Sequence, residues 1–281
     1  MRIKRDYNGH YARFILSHLL WVAFFIFIIA FMAKTVVVLV DGQNLYYSLQ
    51  EMSIIEKEVD WTVLFNSMID AGEELIRAYW FRPAKILDTY YTETNIRNSI
   101  VYKKYRTHLE NYKNGKFSAI PKTVQDSVNS ECSSILEWIK KQKEKFANIE
   151  YAYDQLCLEH DNIEMVKTGV LKIDPYKHTY VGEKGVDISL AVKMISLSVG
   201  KKCDKIILVS GDYDYSEAIR FVKDNMTKIN VVKFHKGYPP RNRSMSRDLS
   251  VLADKVVDVY ETDLKEMYLP LVVPQIYDYF L

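Results

Sequence analysis

Residues Thr35 to Val40 read Thr-Val-Val-Val-Leu-Val, and the run closes at once on Asp41-Gly-Gln-Asn44. β-Branched side chains lose little in a pleated strand and more in a helix. Without polar alternation, such a run is buried on both faces, as in the centre of a parallel sheet. Parallel neighbours need crossover connections, usually helical, so this one segment commits the chain to an α/β architecture.

The remaining periodicity supplies those connections. Leu45–Met52 begins a helix, and Asp60 caps another that runs to about Ala71 before Gly72 closes it. Leu75–Phe81 reads as a second strand. Asn95–Asn114 reads as one basic helix with tyrosines, ended by Gly115, and Lys122–His160 as a long helix rich in Lys and Glu. Ile163–Ile173 is the third strand. Asp187–Val199 is an amphipathic helix whose apolar face is Ile188, Ala191, Val192, Ile195 and Val199. Lys205–Val209 and Ile229–Phe234 are the fourth and fifth strands, flanking a helix at Tyr215–Asn225. A helix near Ser246–Ala253 and a strand at Lys255–Val259 follow. The alternation predicts one domain with a mostly parallel sheet.

The N-terminus stands apart. Residues 1–31 hold Arg2, Lys4, Arg5 and Arg13 against the single acid Asp6, and Phe14–Ala33 is apolar except for Ser17 and His18. That length matches a bilayer crossing, so a membrane anchor through residues 14–33 is one reading. No small-x-small site closes the run, which weakens a signal peptide. Met32-Ala33-Lys34 reads as the true start of a cytoplasmic protein, with residues 1–31 as upstream sequence. The spacing favours this second reading, because a central strand begins immediately after Lys34 and leaves no linker from a bilayer. The expected boundaries are therefore a leader at 1–33, a domain at 34–260 with a helical insertion at about 117–162, and a tail at 261–281.

The formal net charge of +2 excludes a polycation, so a nucleic-acid partner would be held by a local patch or a metal. Cys132, Cys157 and Cys203 are widely separated and never spaced Cys-x-x-Cys. They argue against a disulfide framework or zinc site and for a reducing compartment. Glycine-rich nucleotide loops and a nucleophile elbow are absent as well.

What does recur is acid beyond strand ends. Asp41 follows the first strand, Asp212 and Asp214 follow the fourth in Ser210-Gly-Asp-Tyr-Asp214, and Asp187 opens a helix in Lys184-Gly-Val-Asp187. Any one of these acids reads equally as a turn residue or helix cap. Together they fall where open α/β sheets bind ligands, outside the carboxyl ends of strands at a switch in strand order. Carboxylates gathered there repel one another unless a cation intervenes, and Mg²⁺ or Mn²⁺ suits an all-oxygen set. Lys233, His235, Lys236, Arg241, Arg243 and Arg247 cluster after the fifth strand and, with Lys184, are the expected phosphate-binding groups. Lys103, Lys104, Arg106 and His108 form a second basic group beside Tyr102 and Tyr105, and Trp80 is a further candidate for stacking bases.

These motifs, with Ser246-x-x-Leu249-x-x-x-Ala253-Asp254, resemble the NYN domain, LabA-like subgroup, of the PIN-like nuclease superfamily. The resemblance runs from about Lys34 to Tyr260. It implies a Rossmann-like three-layer sandwich with central strand order 3-2-1-4-5, the long insertion packing as a helical pair. It also implies a metal-dependent endoribonuclease acting on RNA. Asp41, Asp187, Asp212 and Asp214 would then be the catalytic and metal-binding acids, with Mg²⁺ or Mn²⁺ as cofactor. Asn44 would be their polar partner, and Ser210 would steady Asp212 through its hydroxyl. The rival readings are an RNA-binding regulator without turnover and a nuclease directed at DNA; a homo-oligomer is compatible with any of them.

Overall fold

A computed structural model describes Trp21, residues 33–241 and residues 245–267. Apart from Trp21 and Ala33, the apolar leader lies outside the described residues, as do Arg243 and the tail beyond Met267. Among the described residues no helix is long and apolar enough to cross a membrane.

In chain order, β1 (Lys34–Asp41) leads into α1 (Gly42–Glu51) and α2 (Trp61–Ser67), then β2 (Glu73–Arg82) and the short β3 (Ile86–Leu87). Next come α3 (Glu93–Lys104), α4 (Leu109–Lys113) and α5 (Lys122–Glu159). Strands β4 (Ile163–Lys167), β5 (Val170–Asp174) and β6 (Thr179–Lys184) precede α6 (Val186–Val199). The chain ends with β7 (Lys205–Val209), α7 (Ser216–Asp224), β8 (Lys228–His235), α8 (Arg247–Leu252), β9 (Lys255–Tyr260) and α9 (Glu261–Met267).

Six of the strands form a parallel sheet in the order β4-β2-β1-β7-β8-β9. The expected order 3-2-1-4-5 is thus extended by β9 at one edge. Strand β1 is central, and its alternation sorts the two cores. Val36, Val38 and Val40 pack with Leu45, Leu49, Leu64, Phe65 and Trp80 beneath α1 and α2. Val37 and Leu39 pack with Leu190, Met194, Ile219 and Leu249 beneath α6, α7 and α8. Helices therefore cover both faces, and the three-layer sandwich follows from a strand that is apolar on both sides.

Asp60 caps α2 as expected, accepting the Val63 N–H at 3.0 Å. Other expectations are corrected. The single helix expected at Asn95–Asn114 breaks at Tyr105 into α3, a helical turn at Arg106–His108 and α4. The expected third strand divides at Gly169. Its first half, β4, edges the main sheet, while β5 joins a second sheet, β3-β5-β6. The insertion is not a helical pair. It is the one 38-residue helix α5, roughly 57 Å long at 1.5 Å per residue. Its first half buries Val128, Cys132, Ile135 and Ile139 in a core shared with the small sheet and α3. Its second half lays Tyr153, Leu156 and Cys157 against the main core. The small sheet, α3, α4 and the start of α5 therefore make an accessory lobe that α5 ties to the main sheet.

Helix α6 is rotated from the expected orientation, and of the expected apolar face only Ala191 and Ile195 pack, partly buried, against the core. Val186, Leu190, Met194 and Leu197 are its buried apolar residues, while Ile188, Val192 and Val199 are 70%, 59% and 59% exposed. Its only charges are Asp187 and Lys193, and Lys193 lies over the Tyr79 ring at 3.7 Å. A helix that is apolar around its circumference gives periodicity no polar side from which to choose the buried face.

Candidate functional site

The switch in strand order falls at β1, whose neighbours β2 and β7 lead away in opposite directions. Val40 lies opposite Val209, so the next residues, Asp41 and Ser210, meet beyond the strand ends. Asp41 also caps α1, its Oδ1 accepting the Asn44 N–H at 3.0 Å. That helix starts hard against β2. A Cβ on Gly42 would stand 2.6 Å from the Phe81 carbonyl oxygen, so only glycine allows the approach.

Asp41 is buried and takes two further donors on Oδ2, the Ser210 hydroxyl at 3.0 Å and the Tyr215 hydroxyl at 3.2 Å. Burial pushes its carboxyl above the ordinary value. The three donors oppose that push, and the negative Asp187 adds to it. The Tyr215 hydroxyl also reaches Asp187 Oδ1 at 3.2 Å and so bridges two carboxylates. Burial, then Asp41 and Asp187, raise the Tyr215 pKa, which keeps the phenol a donor.

The loop after β7 is tied to the same point. Asn44 Oδ1 accepts the Gly211 N–H at 2.9 Å, and Ser210 Oγ accepts the Asp212 N–H at 3.1 Å. Asp212 Oδ1 caps the helical turn Tyr213–Tyr215 through the Asp214 N–H at 3.0 Å, which swings Tyr215 back over Asp41. Ser210 therefore meets Asp212 through its backbone and gives its proton to Asp41, not to the Asp212 carboxylate. Asp214 is exposed at the rim.

A fifth carboxyl belongs here to which the sequence pattern did not point. Glu183, on β6, is raised from 4.5 to about 7 by burial, then by Asp41, with Arg82 opposing and Asp187 adding. Arg82 is held by Glu56 and by Tyr153, over whose ring its guanidinium sits at 3.7 Å. Glu183 thus brings the accessory lobe to the edge of the acidic group. The only signal in the sequence was its place four residues before Asp187, on a strand that periodicity did not reveal.

Among the described residues no three His, Cys, Asp or Glu side chains are gathered into a metal-binding cluster. The donor chemistry nonetheless fits a hard divalent cation. It is all oxygen, and Asp41 and Glu183 are raised partly by neighbouring negative charge.

The NYN domain profile matches residues 119–261, just over half of the chain. The chain belongs to the NYN domain family. That family is part of the PIN-like nuclease superfamily, whose members typically use divalent metals. The matched span of the NYN domain includes Glu183, Asp187, Asp212 and Asp214; Asp41 and Asn44 precede it and join it through the parallel pairing of β1 with β7. No curated protein sequence matches the chain. In structure it is similar to a protein of unknown function from Vibrio parahaemolyticus, at TM-score 0.42 and 16% identity, over 81% of this chain and 94% of that one.

The basic groups expected beside the NYN acids divide. Lys236, Arg241 and Arg247 are exposed after β8, at the carboxyl edge of the sheet, and Lys184 is exposed at the end of β6. Lys233 is half-buried within β8. His235 is buried, bonded to Asp258 at 2.6 Å and stacked on Tyr260, so it is not placed to grip phosphate. On α3 and the turn after it, Lys103 lies over Tyr176, Lys104 pairs with Glu131 and Arg106 lies over Tyr102, all within the accessory lobe. Trp80 is fully buried and cannot stack on a base.

Proposed function

We propose that this NYN protein, of the LabA-like subgroup, is a metal-dependent nuclease that hydrolyses RNA phosphodiester bonds. The observation that carries the reading is Asp41 at the switch point. Three donors fix its carboxylate, and Tyr215 Oη bridges it to Asp187.

Asp41, Asp187 and Asp212 would hold Mg²⁺ or Mn²⁺, with Glu183 beside them and Asp214 at the rim. Such an ion supplies charge neutralisation at the scissile phosphate and an activated water. The chain's own groups set the geometry. Asn44, Ser210 and Tyr215 hold Asp41 in one orientation, so its ligand directions are prepared in advance. Tyr215 keeps its proton and stabilises two anionic carboxylates in one place. Asn44 also anchors the Gly211 amide, fixing the loop that carries Asp212. Lys236, Arg241 and Arg247 after β8, and Lys184 three residues before Asp187, would meet the phosphates flanking the cleaved bond.

The test is incubation of the purified protein with Mn²⁺ on matched single-stranded RNA and DNA. Cleavage of RNA that EDTA stops, and that Asp212→Asn abolishes with the fold retained, is the expected result. Asn preserves the Oδ1 cap on Asp214, so undiminished cleavage by this variant sinks the assignment. Preferential cleavage of DNA redirects it to the other sugar.

A further inference from the structure

The hairpin β5–β6 carries more than Glu183. Leu171 pairs with Glu183, Lys172 with Gly182, and Ile173 with Tyr180, so Val181 is an extra residue. Directly paired residues share a face of the sheet, and Leu171 and Ile173 lie two apart on the same face. The bulge therefore turns Tyr180 to the side of Glu183, although the two are three residues apart. In a regular strand they would point opposite ways.

Tyr180 is fixed there but open. Its hydroxyl donates to Gln142 Oε1 on α5 at 2.5 Å, while the residue is 51% exposed. Its ring lies beside Trp138, which stacks on His178 at 5.4 Å and 16°. The Tyr46 phenol is near enough to act on Tyr180 electrostatically. Burial, and then that neighbouring phenol, push the Tyr180 hydroxyl up. Tyr46 and Tyr47 are exposed on α1, the helix that Asp41 caps, with ring centroids 5.7 Å apart and edge-on. Two elements that deliver carboxylates to the centre thus each deliver open tyrosines next to it, with the cation of Lys184 on the same strand as Tyr180.

Open aromatic rings, one of them tethered by its hydroxyl, beside a cation and leading to a phosphodiester site, are the elements of a surface that stacks unpaired bases. We propose that Tyr46, Tyr47 and Tyr180, backed by the Trp138–His178 stack, form a platform for the bases of a single-stranded nucleic acid whose backbone runs into the carboxylate centre. This rests on the nuclease reading for its direction but not for its measurement. A base-paired duplex buries its base faces and gains nothing from the platform. The accessory lobe thus selects for unpaired strand.

The experiment is fluorescence anisotropy of a labelled single-stranded oligonucleotide with the full chain in EDTA, so that nothing is cut. A duplex of equal length serves as the comparison. Tyr180→Leu and Tyr46→Leu should each weaken strand binding on the order of tenfold and leave duplex binding unchanged. Tyr180→Phe, which keeps the ring and loses the bond to Gln142, should bind strand as the native protein does. Thermal melts confirm the fold of each variant, and the exposed Tyr46 alone suffices if Tyr180→Leu does not fold. Unchanged affinity in the leucine variants overturns the platform, as does equal loss in Tyr180→Phe or a native protein that does not bind strand. Native protein that binds strand through these tyrosines yet never cuts it keeps the platform and removes the nuclease. Native protein that cuts, with leucine variants that bind normally, does the reverse.

Discussion

Replacing Glu183 by Gln should stabilise the metal-free protein, and only above acidic pH. The carboxyl stands at about 7 in the folded state against an ordinary 4.5, raised by burial and by Asp41 and Asp187. Below 4.5 it is protonated whether folded or not and costs nothing. Between 4.5 and about 7 the folded state keeps a proton that the unfolded state has lost, so stability falls as pH rises through that window. Above 7 the full penalty is present and constant. At 1.36 kcal/mol per pH unit the displacement corresponds to at most about 3.4 kcal/mol, and the side chain's remaining contact with water reduces this to about 1–2 kcal/mol. Gln is nearly isosteric and uncharged, and Arg82 keeps Glu56 as its partner. Urea unfolding in EDTA from pH 4 to 8 should show the two proteins equal at the acid end, with the variant gaining about 1–2 kcal/mol by pH 8. A difference that does not change with pH, or a native protein that is the more stable at pH 8, refutes the placement of Glu183 against the acidic group.

Asn44→Ala removes the acceptor for the Gly211 N–H; a loss of about 1–3 kcal/mol in urea unfolding is expected, together with weakened cleavage. Gly42→Ala forces a Cβ to within 2.6 Å of the Phe81 carbonyl oxygen, and should lower the midpoint by an amount equivalent to about 1–3 kcal/mol. Mn²⁺ should raise the melting temperature of the native protein at pH 8 and much less at pH 5, because protonated carboxyls are poor ligands. No Mn²⁺ shift at either pH counts against a metal site.

The middle of the main sheet was legible because β1, β7 and β8 are buried on both faces and need no partner to reveal them: each runs within a residue or two of its expected bounds. The acids followed, since position relative to strand ends can be read once the strands are placed. The accessory lobe was not legible. Its β3 has two residues, and β6 reads Thr-Tyr-Val-Gly-Glu-Lys, with a glycine at the bulge and a half-exposed face. Such a strand is specified by pairing with β5, which periodicity along one segment does not register. Glu183 was lost with it. Helix α6 failed for a different reason, an excess of apolar signal, since both of its faces satisfy the same template. In His235 chemistry misled: a histidine among lysines and arginines reads as phosphate-binding, whereas at the end of β8 it packs on Tyr260 and bonds Asp258.

The same strand edge shows how the two lobes share one site. Gly169, at φ +66°, lets the start of β5 pass so close to the end of β6 that a Cβ there would stand 2.4 Å from the Lys184 carbonyl oxygen. Thr168 Oγ1 and Ser189 Oγ, 2.7 Å apart, fasten the same point to α6 two residues after Asp187. Gly169→Ala meets both the left-handed backbone and the carbonyl, and the chain must yield there by moving the end of β6. The accessory core lies elsewhere, around Ile96, Val128 and Ile135, so the lobe should stay folded while Glu183 moves off the acidic group. The pH-dependent penalty of Glu183 should then shrink. In a double-mutant cycle at pH 8, Glu183→Gln should therefore stabilise the Gly169→Ala protein by less than it stabilises the native one, with a coupling of about 0.5–1 kcal/mol. Additivity would mean that Glu183 feels the carboxylates without the close passage at Gly169, and that this contact serves the fold alone.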